Sequence, residues 1–165
     1  MYDGMDVSEM ACISIKNRTY TITADVELPG NSTNGVVISQ AGRFGGWTLY
    51  MKNGFLHHEY NYVGMERTNI KSATALSAGK HILRYEFKID SNKPGSGGKC
   101  YLYVDDKKVA EGAIPHTQAY AYSADEGICV GVDHETPVSE DYKEGDNKFT
   151  GKINVATIEI FPVKN

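Results

Sequence analysis

The chain has 165 residues, 41% hydrophobic and 23% charged, with a formal net charge of −4. That length suits one domain able to bury well over half of its unfolded surface without staples. The acidic balance argues against nucleic acid, and no apolar run approaches the ~20 residues that cross a bilayer as a helix, so membrane insertion is not expected.

Residues 1–17 have weak periodicity and read as a lead-in to a single domain over 18–163. The opening stretch, residues 1–6, is acidic and lacks the apolar core of a secretory signal. The first strand is clear: Tyr20, Ile22, Ala24, Val26 and Leu28 alternate with Thr19, Thr21, Thr23, Asp25 and Glu27. Pro29-Gly30 stops it and opens a polar loop to Asn34. A second strand begins at Val36-Val37-Ile38 and ends at Gly42.

Next comes the most informative segment. Two strand-like runs flank Asn53-Gly54, the strongest short-range hairpin signal, because both central residues of a type I′ turn need positive φ. A two-residue loop there pairs Lys52 with Phe55, Met51 with Leu56, Tyr50 with His57, Leu49 with His58, Thr48 with Glu59 and Trp47 with Tyr60. One face then carries Trp47, Leu49, Met51, Leu56, His58 and Tyr60; the other carries Thr48, Tyr50, Lys52, His57 and Glu59. An apolar face backed by a mixed one is what an antiparallel sheet over a core requires.

Residues 66–71 are a shorter candidate strand. In residues 80–90, His81, Leu83, Tyr85, Phe87 and Ile89 share a face. Residues 91–98, rich in Gly and Pro, read as a flexible connection to a hairpin with its turn at Asp105-Asp106. That placement sets Leu102 against Val109 and Tyr103 against Lys108, and asks Asp106 for positive φ. Beyond 115 the pattern weakens. A short strand at 128–132 sits among acidic loops, and the last strand, 153–161, slips in phase near Ala156-Thr157, as across a bulge. No helical period appears. Many short strands separated by turn signals predict an all-β antiparallel sandwich of the jelly-roll type. Cys12, Cys100 and Cys129 form no motif and are expected to be buried free thiols.

Several blocks resemble the C-terminal domain of bacterial arylsulfatases. They are residues 16–24, 42–50, 62–68 and 78–81, then Tyr103 to Gly112, and Thr136-Pro137-Val138-Ser139-Glu140-Asp141-Tyr142. They fall in the family's order and span about Lys16 to Ile160. The resemblance implies a concanavalin-like, laminin-G-like jelly roll excised from the C-terminal end of a longer sulfatase. It implies a parent that hydrolyses sulfate esters with a divalent cation, calcium in particular, in the periplasm or outside a bacterial cell. It also implies that the catalytic sulfatase domain is this domain's partner. Two departures stand out. Asp106 replaces a usual Gly, and no Cys or Ser is followed by the x-Pro-x-Arg that marks the formylglycine nucleophile. The chain itself is therefore expected to be catalytically silent, an accessory domain that stabilises its neighbour and needs no cofactor.

Three sets of residues are candidates for function. Arg43, in Gly42-Arg43-Phe44-Gly45-Gly46, together with Glu66 and Arg67, is a candidate contact with the neighbouring domain; the glycine run is no phosphate loop, since it opens a strand and lacks GxxxxGK[ST]. Tyr50, His57 and Glu59 share the mixed face of the central hairpin and could bind glycan, which makes a lectin-like carbohydrate-binding module the main alternative. A jelly-roll glycosidase would need two carboxylates about 5–5.5 Å apart, and no pattern pairs Glu59 with Glu66. Asp125, Asp133 and Glu135 are oxygen ligands of the type calcium takes, but their spacing is not that of an EF-hand and a solvated acidic loop is the expectation.

Overall fold

A computed structural model describes residues 1–134 and 136–162. Eleven strands form two antiparallel sheets: β1 (Asp6–Val7), β2 (Thr19–Leu28), β3 (Gly35–Gly42), β4 (Gly45–Lys52), β5 (Phe55–Tyr62), β6 (Glu66–Lys71), β7 (Gly79–Ile89), β8 (Ser96–Val104), β9 (Lys107–His116), β10 (Ile128–Val130) and β11 (Lys152–Phe161). The six-stranded sheet runs β1-β10-β3-β4-β5-β6, and the five-stranded sheet runs β11-β2-β7-β8-β9. One turn of 3-10 helix, Glu9–Ala11, follows β1.

The β4–β5 hairpin has the register expected from Asn53-Gly54, pair for pair from Trp47–Tyr60 to Lys52–Phe55. Both turn residues lie at positive φ, 51° and 78°. Its apolar face packs inward. Trp47, Leu49, Met51, Leu56 and Tyr60 join Ile22, Ala24, Val26, Leu83, Tyr85 and Leu102 of the facing sheet in one core. His58 crosses between the layers and stacks on Tyr85 with ring centroids 3.5 Å apart. Burial holds the His58 imidazole neutral, pushing its pKa down to about 3.

Four local expectations differ. Residues 1–17 are more than a lead-in, because Asp6 pairs with Cys129 and Val7 with Ile128, extending the sheet. Ser96, Gly97 and Gly98 belong to β8, not to a flexible connection. Leu102 faces Ala110, with Val109 taken up in a bulge, so that Ala110, Gly112 and Ile114 share the inward side. The bulge in β11 falls at Asn154, between Ile153 and Val155, where the Asn154 amide bonds Asp25 and Glu27. The three thiols are unpaired, with Cys100 and Cys129 buried.

Candidate functional site

The mixed face of β4 and β5 points away from the core, yet it is not open. Residues 136–148 run across it as a strap. Ser139 donates to Glu59 Oε2 at 3.0 Å, Asn61 donates to the Val138 carbonyl at 3.3 Å, and Tyr142 packs edge-on against Tyr50. Tyr50 donates to Asp141 at 2.5 Å, and the same carboxylate accepts from Lys52 at 2.6 Å. At its far end Lys148 bridges in parallel to Val36.

The candidate glycan residues therefore lie under cover. Tyr50, His57 and Glu59 are together on one face, as their period-2 spacing requires, but they are 1%, 7% and 6% exposed. The difference has a simple cause: a strand pattern marks which side chains leave the core, not whether a distant segment folds back over them. His57 stacks on Tyr50 and meets Asn69. Asn69 in turn donates to Tyr50 Oη at 2.8 Å and to Glu59 Oε2 at 2.9 Å. Burial pushes the Glu59 carboxyl up, against the bonds from Asn69 and Ser139, and pushes the His57 imidazole down.

Asp133, one of the candidate calcium ligands, anchors the base of the strap. It is buried and accepts from Tyr142 Oη at 2.7 Å and from the Val138 N–H at 3.1 Å. Burial raises its pKa to about 6, with Tyr142 and Val138 pulling the other way. Asn147 braces the turn by donating to the Asp133 and Lys143 carbonyls. Asp125 is exposed on a separate turn, and Glu135 lies outside the described residues. Among the described residues no three His, Cys, Asp or Glu side chains are grouped so that they could hold a metal.

The residues expected to contact a neighbour separate into two sets. Arg43 and Arg67 come together in an open groove of about 410 Å³, with Ser139, Glu140, Tyr142, Lys143 and Glu144 of the strap. Arg67 Nε faces Glu59 Oε1 at 3.6 Å, and its Nη1 lies 3.4 Å from the exposed Glu140. Glu59 Oε1 and Arg67 Nε are both buried without a hydrogen bond. Glu66 sits on the other face of β6 from Arg67, and hence away from Glu59. No carboxylate pair between Glu59 and Glu66 is formed.

Beside the groove, two turn tips carry large apolar side chains. Phe44 is 72% exposed and Met65 85% exposed. The turns abut, since a Cβ on Gly64 would lie 3.2 Å from the Arg43 carbonyl. Sequence reasoning found Arg43 and Arg67 but missed Ser139, Tyr142 and Lys143 as their companions. The only signal was the Thr136–Tyr142 block of the resemblance, which names residues without saying where they fold.

No protein-family model and no curated protein matches the chain. Solved structures do. The carbohydrate-binding CBM40 domain of the Ruminococcus gnavus IT-sialidase, bound to α2,3-sialyllactose, superposes with a TM-score of 0.62 at 11% identity, over 97% of this chain and 92% of that one. Domains LG4-5 of the mouse laminin α1 chain give 0.60 at 15% identity, over 95% and 39%. The heptameric SAP-like pentraxin of Limulus polyphemus gives 0.54 at 14%, over 86% and 63%, so this chain spans less than two thirds of that protein. At these identities the likeness establishes the fold: an all-β, laminin-G-like jelly roll.

Proposed function

We propose that this chain is a non-catalytic carbohydrate-binding domain whose groove beside the strap takes an acidic group of a glycan, a carboxylate or a sulfate. The observation that carries this is the convergence of three cations, Arg43, Arg67 and Lys143, on one open groove that also holds the exposed carboxylates of Glu140 and Glu144, in a chain of net charge −4. Guanidinium groups offer paired donors matched to a planar carboxylate or a sulfate, and the neighbouring Phe44 ring offers an apolar platform to the sugar. The similarity to a domain solved with sialyllactose supports the carbohydrate class. Binding is tested by calorimetry with sialylated, sulfated and neutral oligosaccharides. We expect acidic sugars to bind and Arg43→Ala to weaken them roughly ten-fold, about 1.4 kcal/mol. Absence of any acidic-sugar binding at millimolar concentration overturns the proposal.

A second role is supported by Phe44 and Met65 standing exposed at two abutting turn tips, next in sequence to Arg43 and Glu66. That tip suits docking on a larger domain, as in an accessory module of an arylsulfatase-like, calcium-dependent enzyme of the periplasm or cell exterior. Assayed alone on aryl and glycan sulfates, the chain should give no turnover, because no Cys or Ser precedes x-Pro-x-Arg. Turnover that survives purification sinks both roles.

A further inference from the structure

The outer face of the five-stranded sheet is polar along most of its length. Thr23, Asp25 and Glu27 of β2 and Arg84, Glu86 and Lys88 of β7 point to solvent, as their pairing with inward neighbours dictates, while Thr21 lies on the same face but is buried. Two large apolar residues break the pattern: Ile82 of β7, opposite Asp25 and 42% exposed, and Phe161. Phe161, opposite Thr19 at the end of β11, shares that face and is 43% exposed. It forms one wall of a groove of about 510 Å³ whose other walls are Thr19, Glu86, Lys88 and the Asp90-Ser91-Asn92 turn. The position of the turn is set internally. The Asp90 N–H donates to the Gly97 carbonyl, and Ser91 meets Ser96 at 3.1 Å.

We infer that this groove is a second sugar subsite, on the opposite face of the sandwich from Arg43, and that it takes a neutral oligosaccharide. The chemistry is that of a pyranose. An exposed ring covers the apolar face of the sugar, while carboxylate, amide and hydroxyl groups meet its hydroxyls. Among the lining groups the carboxylates of Glu86 and Asp90 outnumber the one cation, Lys88, which lies 3.2 Å from Glu86, so the groove favours a neutral ligand over an anionic one. The site shares no residue with the acidic-sugar groove and stands or falls separately.

The test is an amide NMR titration of the intact chain with cellotetraose, maltotetraose and mannotetraose. Saturable shifts are expected at Thr19, at Ile89 to Asn92 and at Phe161 with at least one of them, with a Kd on the order of 1 mM. Phe161→Ala should weaken that binding by about ten-fold, and Asp90→Ala measurably; preserved spectral dispersion certifies their fold. Arg43→Ala should leave it unchanged while weakening acidic-sugar binding roughly ten-fold, which separates the two subsites. Shifts that fail to saturate for all three sugars, shifts confined to the Arg43 face, or undiminished binding by Phe161→Ala overturn the inference. So would preferential binding of an acidic sugar in this groove.

Discussion

Two buried titratable side chains, His58 and Asp133, act on stability with opposite signs over the same pH range. His58 has a folded pKa of about 3 against an ordinary 6.5, so the unfolded chain binds the extra proton and stability is lost as pH falls below about 6.5. Asp133 has a folded pKa of about 6 against an ordinary 3.8, so here the folded chain holds the proton more tightly. Its contribution therefore falls as pH rises from about 4 through 6. Replacing Asp133 by Asn keeps an acceptor for Tyr142 and Val138 and removes the buried charge. The stability of Asp133→Asn relative to the parent should improve between pH 5 and pH 7, on the order of 1–2 kcal/mol. Urea unfolding at several pH values measures it, and a pH-independent difference would show that Asp133 ionises freely. Conversely, His58→Phe should preserve the stack on Tyr85 while reducing the loss of stability in acid, and an unchanged acid limb would refute the neutral, buried state.

Among the elements, the β4–β5 hairpin shows how far local chemistry reaches. Its turn type, register and inward face all follow from Asn53-Gly54 and a period of two. Gly54 is also required from outside the hairpin. Its φ is 78°, and a Cβ there would sit 2.0 Å from the Asn31 backbone carbonyl. Gly54→Ala should therefore cost about 2 kcal/mol or more, since left-handed strain and a clash with backbone add. Thermal unfolding reads this, and a loss below about 0.5 kcal/mol would mean that the 29–34 loop yields. The strap is the contrasting element. It has no periodicity to announce it, because its hold on the sheet comes from single polar contacts of Ser139, Asp141 and Tyr142 with residues about eighty to ninety positions away. Tyr142→Ala removes the Asp133 bond and the packing on Tyr50 together. Hydrogen exchange at strap amides should quicken while the exchange of β4 core amides is retained; uniform quickening would mean that the strap and sheet unfold as one.

At the scale of the whole molecule, the two grooves lie on opposite faces and differ in charge chemistry. Acidic-sugar binding at Arg43 should weaken as salt rises from low to physiological ionic strength, because the groove is open and its cations are screened. Neutral-sugar binding at Phe161 should be indifferent to the same change. Calorimetry across a salt series distinguishes them, and equal salt sensitivity would contradict the assignment of an acidic ligand to one groove and a neutral ligand to the other. The tip that carries Phe44 and Met65 adjoins the first groove, so a docked domain there would lie close to a bound acidic glycan.

The all-β class, the central hairpin and the inward faces of β2 and β7 were legible in the residues alone. Each is a short-range matter of alternation or turn chemistry. Where Tyr50, His57 and Glu59 end up, and which residues accompany Arg43 and Arg67, was decided by tertiary structure. Those outcomes depend on a strap that crosses the sheet from far along the chain. Loop closure and a few polar contacts set its path, and neither leaves a period in the sequence.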